Sequence, residues 1–396
     1  MTTLTYCTNV HPGADLAEVE RSLATWTVPV ARAFAGAEGA FPVGLWLSAR
    51  SATELAAPDR CRRFGEFLAA NRLALATLNC FPFGGFHAEA VKEAVYRPDW
   101  RDARRVDYTL QAARAAARLA PPGAVVPIST LAGAGRVDGG AATVAAIGAN
   151  LGRVAAEFAR LEQETGRELV LCLEPEPFTL LETVADAVAF FEREVWARDS
   201  AARRGFVAAG GVASAAESAL RRHLALCYDT CHQAVLFEDG GAAIARLDAA
   251  GIRIGKVQLS SALRTEGAAA RAETLAALAA FREPRWLHQA FLRQPDGTLT
   301  GHLDLDLGIA ALAAAPDGAE LRVHFHVPID RANFGVLATT RRDLDAVAAA
   351  TRIRPPAVFE VETYTFPALP AGAEPRALVA ALVAELAYAR TAIGGD

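Results

Sequence analysis

Short apolar runs alternate with helix-length amphipathic segments along the whole chain. The runs are TYCTNV, VGLWLSA, ALATLNCF, VVPISTL, LVLCLEPEP, LALCYDT, IGKVQLSSAL, LRVHFHVPI and AVFEVETYT. Between them lie Ala/Leu/Arg segments of helical period, such as ADLAEVERSLATWTVPVARAF and TVAAIGANLGRVAAEFARLEQ. This alternation predicts βα units and a parallel sheet. No GxGxxG follows the first run, so an open dinucleotide-binding sheet lacks its signature. The polar residues of interest sit at the ends of many runs, as the C-terminal face of a closed barrel requires. The prediction is therefore an α/β chain folded as one (β/α)8 barrel domain over residues 1–396. Nine runs are one too many, so one of them must lie off the barrel or not be a strand. Two insertions are expected, near 81–100 and 264–303. The first, FPFGGFHAEAVKEAVYRPDW, is rich in aromatics and glycine. The second contains WLHQAFLRQPDGTLTGH, which reads as a hairpin turning at Asp296-Gly297.

Side chains on a strand point alternately to its two faces. In LVLCLE, Leu169, Leu171 and Leu173 suit the layer beneath the outer helices, which leaves Val170, Cys172 and Glu174 inward. In LALCYD the same split turns Ala225, Cys227 and Asp229 inward. Lys256 and Gln258 of IGKVQL follow suit, as do Arg322, His324 and His326 of LRVHFHV and Glu360 and Glu362 of AVFEVET. Five runs thus deliver polar groups to one axial end. A buried carboxylate is costly unless it is paired or binds a cation. Carboxylates mixed with imidazoles suit a divalent metal such as Mn, Mg, Co or Zn. Glu174, Asp229, Gln258, His326, Glu362 and His232 are the expected metal donors, with His232 placed to bind a second metal, touch substrate or support the other donors. Glu174, Glu362 and His232 are the expected catalytic groups. Expected substrate contacts are His324, Lys256, Asn79, His87, Trp46 and His288. Glu360 is expected to pair with Lys256 or Arg322, and Glu176 and Glu182 read as helix-start charges.

Composition narrows the chemistry. The net charge of -5 and pI near 6.0 argue against a protein that grips polyanions. The six cysteines form no CxxC or paired framework, which suits a reducing cytoplasm. MTTLTYCTNVHPG shows no secretory signal, and no apolar run is long enough to span a bilayer. The expectation is a soluble, cytoplasmic protein acting on a small molecule, without nucleic acid or membrane insertion, and open to homo-oligomerisation.

LEPEP, YDTCH and the closing run with its inward glutamate resemble the xylose-isomerase-like TIM-barrel superfamily. More closely, TYCTNVHPG, LCLEPEP, CYDTCHQAV, GKVQLSSAL, VHFHVPI and EVETYT resemble the family named metabolite traffic protein EboE, over nearly the whole chain. The resemblance implies a relationship to sugar-phosphate isomerases and epimerases and a bacterial secondary-metabolite role. It also implies metal donors at Glu174, Asp229, His232 and Glu362, with Gln258 standing where the superfamily has a histidine. The leading functional reading is a metal-dependent sugar or sugar-phosphate isomerase or epimerase. The alternatives are a metal-dependent phosphoester hydrolase, Schiff-base chemistry at Lys256, and a non-catalytic metabolite carrier.

Overall fold

The apolar runs do become strands, and their leucines decide which face is which. The computed structural model describes residues 2–35, 39–87, 90–266 and 270–394. Residues 88–89 of the first insertion and 267–269 of the second lie outside the described residues. In chain order the first seven strands are β1 (Thr3–Tyr6), β2 (Phe41–Trp46), β3 (Leu73–Asn79), β4 (Val125–Leu131), β5 (Glu168–Glu174), β6 (Leu224–Asp229) and β7 (Ile254–Leu259). Six more follow: β8 (Leu263–Arg264), β9 (Ala290–Arg293), β10 (Leu299–His302), β11 (Glu320–Val323), β12 (Asn333–Phe334) and β13 (Leu337–Thr339). The last is β14 (Val358–Val361).

β1–β7 and β14 make one parallel sheet in the order β1-β14-β7-β6-β5-β4-β3-β2. A parallel bridge between Cys7 and Gly44 brings its two ends together, so the sheet rolls into a nearly closed (β/α)8 barrel. Gly44 is needed at that seam, because a Cβ there would lie 1.8 Å from Glu360 Oε1. The outward leucines of β5 and β6, with Val257, Leu259, Phe359 and Val361, pack under the helices in the main core. Val170, Cys172, Ala225 and Cys227 form a separate cluster inside the barrel. Burying each leucine contributes roughly 1.5–3 kcal/mol relative to exposure. A one-residue slip of register would forfeit the whole set, so the inward face is firmly specified.

β8–β13 build a second, antiparallel sheet in the order β10-β9-β11-β8-β13-β12, between β7 and β14 in the chain. β9 and β10 are the expected hairpin. Gln294 N–H donates to Thr298 O at 2.8 Å across it, and Gly297 takes the left-handed conformation with φ 88°. One expectation is corrected here. LRVHFHV, the eighth of the nine runs, is the one that is not a barrel strand: its Glu320–Val323 part is β11 of the second sheet. Leu321, Val323, Phe325 and Val327 alternate as expected but pack into a second core with Leu278, Phe281, Leu305 and Leu312. Alternation marks an apolar face without saying which sheet will cover it. Arg322 accordingly does not enter the barrel; it donates to Ala234 O at 2.7 Å and lies 4.2 Å from the Phe237 ring.

Candidate active site

Beyond Val323 the chain leaves the second sheet and runs along the C-terminal rim of the barrel. Val327 N–H donates to Ser261 O at 2.9 Å, and His326 Nδ1 donates to Glu362 O at 2.8 Å. This crossing carries His324 and His326 onto the barrel mouth, where Glu174, Asp229 and Glu362 end their strands. Helix Thr230–Val235 starts directly on Asp229 and places His232 beside it.

Asp229 is fully buried, and its two oxygens differ. Oδ1 accepts from Cys231 N–H at 2.7 Å, His232 N–H at 3.0 Å and the Ser260 hydroxyl at 2.6 Å. Oδ2 has no hydrogen-bond partner, and His232 Nε2 and His326 Nε2 stand 3.7 and 3.9 Å from it, too far for hydrogen bonds. Oxygens of Glu174, Asp229 and Glu362 lie within 4.8 Å of one another. Glu362 Oε1 is held by Asn9 Nδ2 at 2.8 Å and Asn79 Nδ2 at 2.9 Å. Glu174 Oε2 is buried without a hydrogen-bond partner.

The electrostatics follow from crowding acids in a dry space. Burial pushes the Glu174 carboxyl up to about 8, countered by His232 and reinforced by Asp229. Burial, with Glu174 and Asp229 nearby, pushes Glu362 well above the carboxylate range. Burial would also raise Asp229, but His232, His326 and the Ser260 hydroxyl hold it below its ordinary value. Burial would lower His232, yet Asp229, Glu176 and Glu174 raise it. Burial lowers His324 well below its ordinary value and takes His326 down to about 4.

Glu174, His232, His324, His326, Glu362 and Asn79 line a cavity of about 60 Å³, with Phe81, Phe86, Trp286 and Tyr364 forming its apolar wall. That is room for about four to six waters at ~10–15 Å³ each. Gln258 is buried level with Asp229, and neither of its amide atoms has a hydrogen-bond partner. The other expected substrate contacts lie elsewhere. Lys256 sits two residues deeper, where its Nζ pairs with Glu360 at 2.6 Å with both side chains fully buried. Burial would lower this lysine, but the Glu360 carboxylate holds it above its ordinary value, so it stays charged and unsuited to Schiff-base chemistry. His288 has both ring nitrogens engaged, Nδ1 with His324 O at 2.9 Å and Nε2 with Glu283 at 2.7 Å. His87 Nε2 donates to Asn9 O at 2.7 Å, and Trp46 belongs to the aromatic cluster behind the wall. These residues brace the site without lining it.

Several lining residues escape the strand-parity argument because they sit outside the strands: Asn9 in the single-turn helix Thr8–Val10, and Trp286, Tyr364 and, above all, Glu176 on loops. Glu176 is no helix-start charge. It is buried, with Oε1 accepting from Tyr96 and from Gln289 Nε2, each at 3.1 Å, while Oε2 has no partner. The signal was present in LEPEP, since a residue before proline is kept out of helical conformation. Glu182 accepts from Phe178 N–H at 2.7 Å, just before the helix Val184–Phe190.

No protein-family model matches the chain, and no curated protein matches it. Among solved structures, an L-ribulose 3-epimerase matches at 14% identity over 99% of this chain and 95% of its own, with a TM-score of 0.50. A xylose-isomerase-like TIM-barrel protein from Mycobacterium smegmatis in complex with magnesium matches at 11% identity, 98% of each chain and a TM-score of 0.48. The probable 3-DHS dehydratase AsbF of Bacillus anthracis, involved in petrobactin synthesis, matches at 13% identity, 98% of each chain and a TM-score of 0.45. The first likeness shows the fold, a (β/α)8 barrel.

Proposed function

We propose that this protein is a divalent-metal-dependent isomerase or epimerase of a small polyhydroxylated carbonyl compound, a sugar or sugar-like metabolite. The observation that carries the reading is the convergence of Glu174, Asp229 and Glu362 within 4.8 Å at the barrel mouth. Three buried carboxylates cannot all ionise at that spacing unless a cation joins them. The unpartnered Glu174 Oε2 and Asp229 Oδ2, with the amide of Gln258 beside them, fit an all-oxygen donor set of the kind magnesium and manganese prefer. Bound there, such an ion would stabilise negative charge developing on adjacent substrate oxygens.

The chain's own groups do the rest. Asn9 and Asn79 aim Glu362, and Glu362 and Glu174 stand on strands separated by two others. A carboxyl pair brought within 4.8 Å from two different strands can take a proton from the carbon next to a carbonyl and return one. The wall of Phe86 and Trp286, joined by Trp286 Nε1 donating to Phe86 O at 3.1 Å, borders the pocket that such a substrate would enter. The motif resemblance to the EboE family is the ground for extending the proposal to a cytoplasmic secondary-metabolite pathway. The free, buried state of all six cysteines is in keeping with a reducing compartment.

The test is deuterium uptake. Protein stripped with a chelator, reloaded with Mn²⁺ and incubated with free ketopentoses and ketohexoses in D₂O should place deuterium next to the carbonyl. Glu174→Gln should slow this by roughly 10²–10⁴-fold. Gln258, in place of a histidine, favours the second reading of a non-catalytic carrier, and tight sugar binding with no exchange under Mg, Mn, Co or Zn would establish that instead.

A further inference from the structure

The cavity at the barrel mouth is rich in atoms that accept hydrogen bonds and poor in atoms that donate them. Glu176 lines it and is only 5% exposed. Its Oε1 is held in place, accepting from the Tyr96 hydroxyl and from Gln289 Nε2, each at 3.1 Å. Gln289 Nε2 also donates to the Tyr96 oxygen at 2.7 Å, which fixes the three groups together. Glu176 Oε2 is left buried without a partner. His232 makes its closest approach to Asp229 instead, with Nε2 3.7 Å from Oδ2. Asn9 is in a similar position: its Nδ2 is spent on Glu362 at 2.8 Å, and its buried Oδ1 has no partner. Hydroxyl groups would satisfy Asn9, but a carboxylate this buried calls for a positive charge. A divalent ion would leave Glu174, Asp229 and Glu362 one negative charge in excess, and Glu176 adds another. Among the described residues lining the cavity, Lys92 is the one lysine or arginine, and its Nζ pairs with Asp304 at 2.6 Å. A phosphate group would bring up to about two further negative charges into this space.

The apolar wall of the same cavity is aromatic. Tyr364 packs on Phe86 and Trp286 with ring centroids 4.9 and 5.1 Å away, and Phe86 and Trp286 are 5.6 Å apart. Arg285 lies 5.0 Å from the Trp286 ring without lining the cavity. Aromatic faces attract cations through their negative ring centres, and clustered rings are a recurring way to hold an ammonium group. We propose that the substrate of this site is an amino sugar without phosphate, its ammonium group held between Glu176 and the wall of Phe86, Trp286 and Tyr364. The free Oε2 of Glu176 takes the charged hydrogen bond, Asn9 Oδ1 takes a hydroxyl, and Tyr96 and Gln289 position Glu176. The inference rests on reading the barrel mouth as the seat of a polyhydroxylated substrate.

The test is calorimetric titration of the full chain, both Mn²⁺-loaded and chelator-stripped. The probes are D-glucosamine and 1-amino-1-deoxy-D-fructose, their parents D-glucose and D-fructose, N-acetyl-D-glucosamine, and D-fructose 1-phosphate. At least one amine should bind about 10-fold or more tightly than its parent. N-acetyl-D-glucosamine, which keeps the nitrogen but not the charge, should bind no more tightly than D-glucose, and the phosphate more weakly than D-fructose. Glu176→Gln, nearly isosteric, should bring the ratio of amine to parent close to one. Phe86→Leu leaves Glu176 in place and should lower the same ratio, which guards against a folding artefact in the first variant. Parents that bind as tightly as both amines, or a preference untouched by both variants, would overturn the inference and leave the isomerase reading standing. A preference for the amine without any deuterium uptake would uphold it and sink the isomerase reading instead. Binding of none of these compounds would overturn both.

Discussion

Lys256 and Glu360 show how one contact inside the barrel supports the chemistry above it. Both are fully buried, 2.6 Å apart, on neighbouring strands two residues below Gln258 and Glu362. Lys256 also donates to Ser129 Oγ at 3.2 Å, so its charge links β14, β7 and β4. Removing one partner leaves an uncompensated buried charge. Lys256→Met should therefore cost about 3–5 kcal/mol in urea unfolding, while the double change Lys256→Met with Glu360→Gln should recover most of it. The parity of the strands revealed the inward direction of both residues and offered Lys256 as a partner for Glu360. It could not show that the lysine is used up below the site, because depth along a barrel axis depends on strand stagger.

Among the elements, helix Leu378–Ala392 has a part in the site that its own pattern hides. Its Glu385 is fully buried, and Oε1 accepts from Ile329 N–H at 2.9 Å and the Thr363 hydroxyl at 2.6 Å. It thereby ties the segment carrying His326 to the one carrying Glu362. Burial pushes this carboxyl up to about 8, with Asp330 adding to the rise and the Thr363 and Ile329 hydrogen bonds and Arg376 opposing it. The folded chain therefore keeps a proton that the unfolded chain releases near its ordinary value of 4.5. Stability from this group is complete below that value and falls as pH rises towards 8, by at most ~5 kcal/mol through linkage. Glu385→Gln retains an oxygen acceptor and should flatten the fall, seen as melting temperature against pH from 5 to 8.5. The run LRVHFHV teaches a related lesson. Its alternation is genuine, yet the strand was claimed by the antiparallel sheet, and His324 and His326 reach the barrel only after that strand has ended.

For the molecule as a whole, the proposed cation site should appear as stability, because an ion that binds only the folded chain raises its unfolding free energy. Chelation should lower the melting temperature by several degrees, and Mn²⁺ at about 100 times its Kd should return about 2.7 kcal/mol. A melting curve unmoved by chelator and by every divalent ion would contradict that site. No helix among the described residues is long and apolar enough to cross a membrane. The sequence by itself determined the alternation of strands and helices, the barrel, and the inward facing of Glu174, Asp229 and Glu362. Each of these follows from short-period patterns and from leucines that must leave water. Only the tertiary structure decided which of nine runs stays off the barrel, and that Glu176, Asn9 and Gln289 join the site while His87, Trp46, His288 and Lys256 brace it. Those outcomes depend on where loops cross the barrel mouth and on which lone pairs finally meet, and contacts between residues hundreds of positions apart leave no periodic trace in the chain.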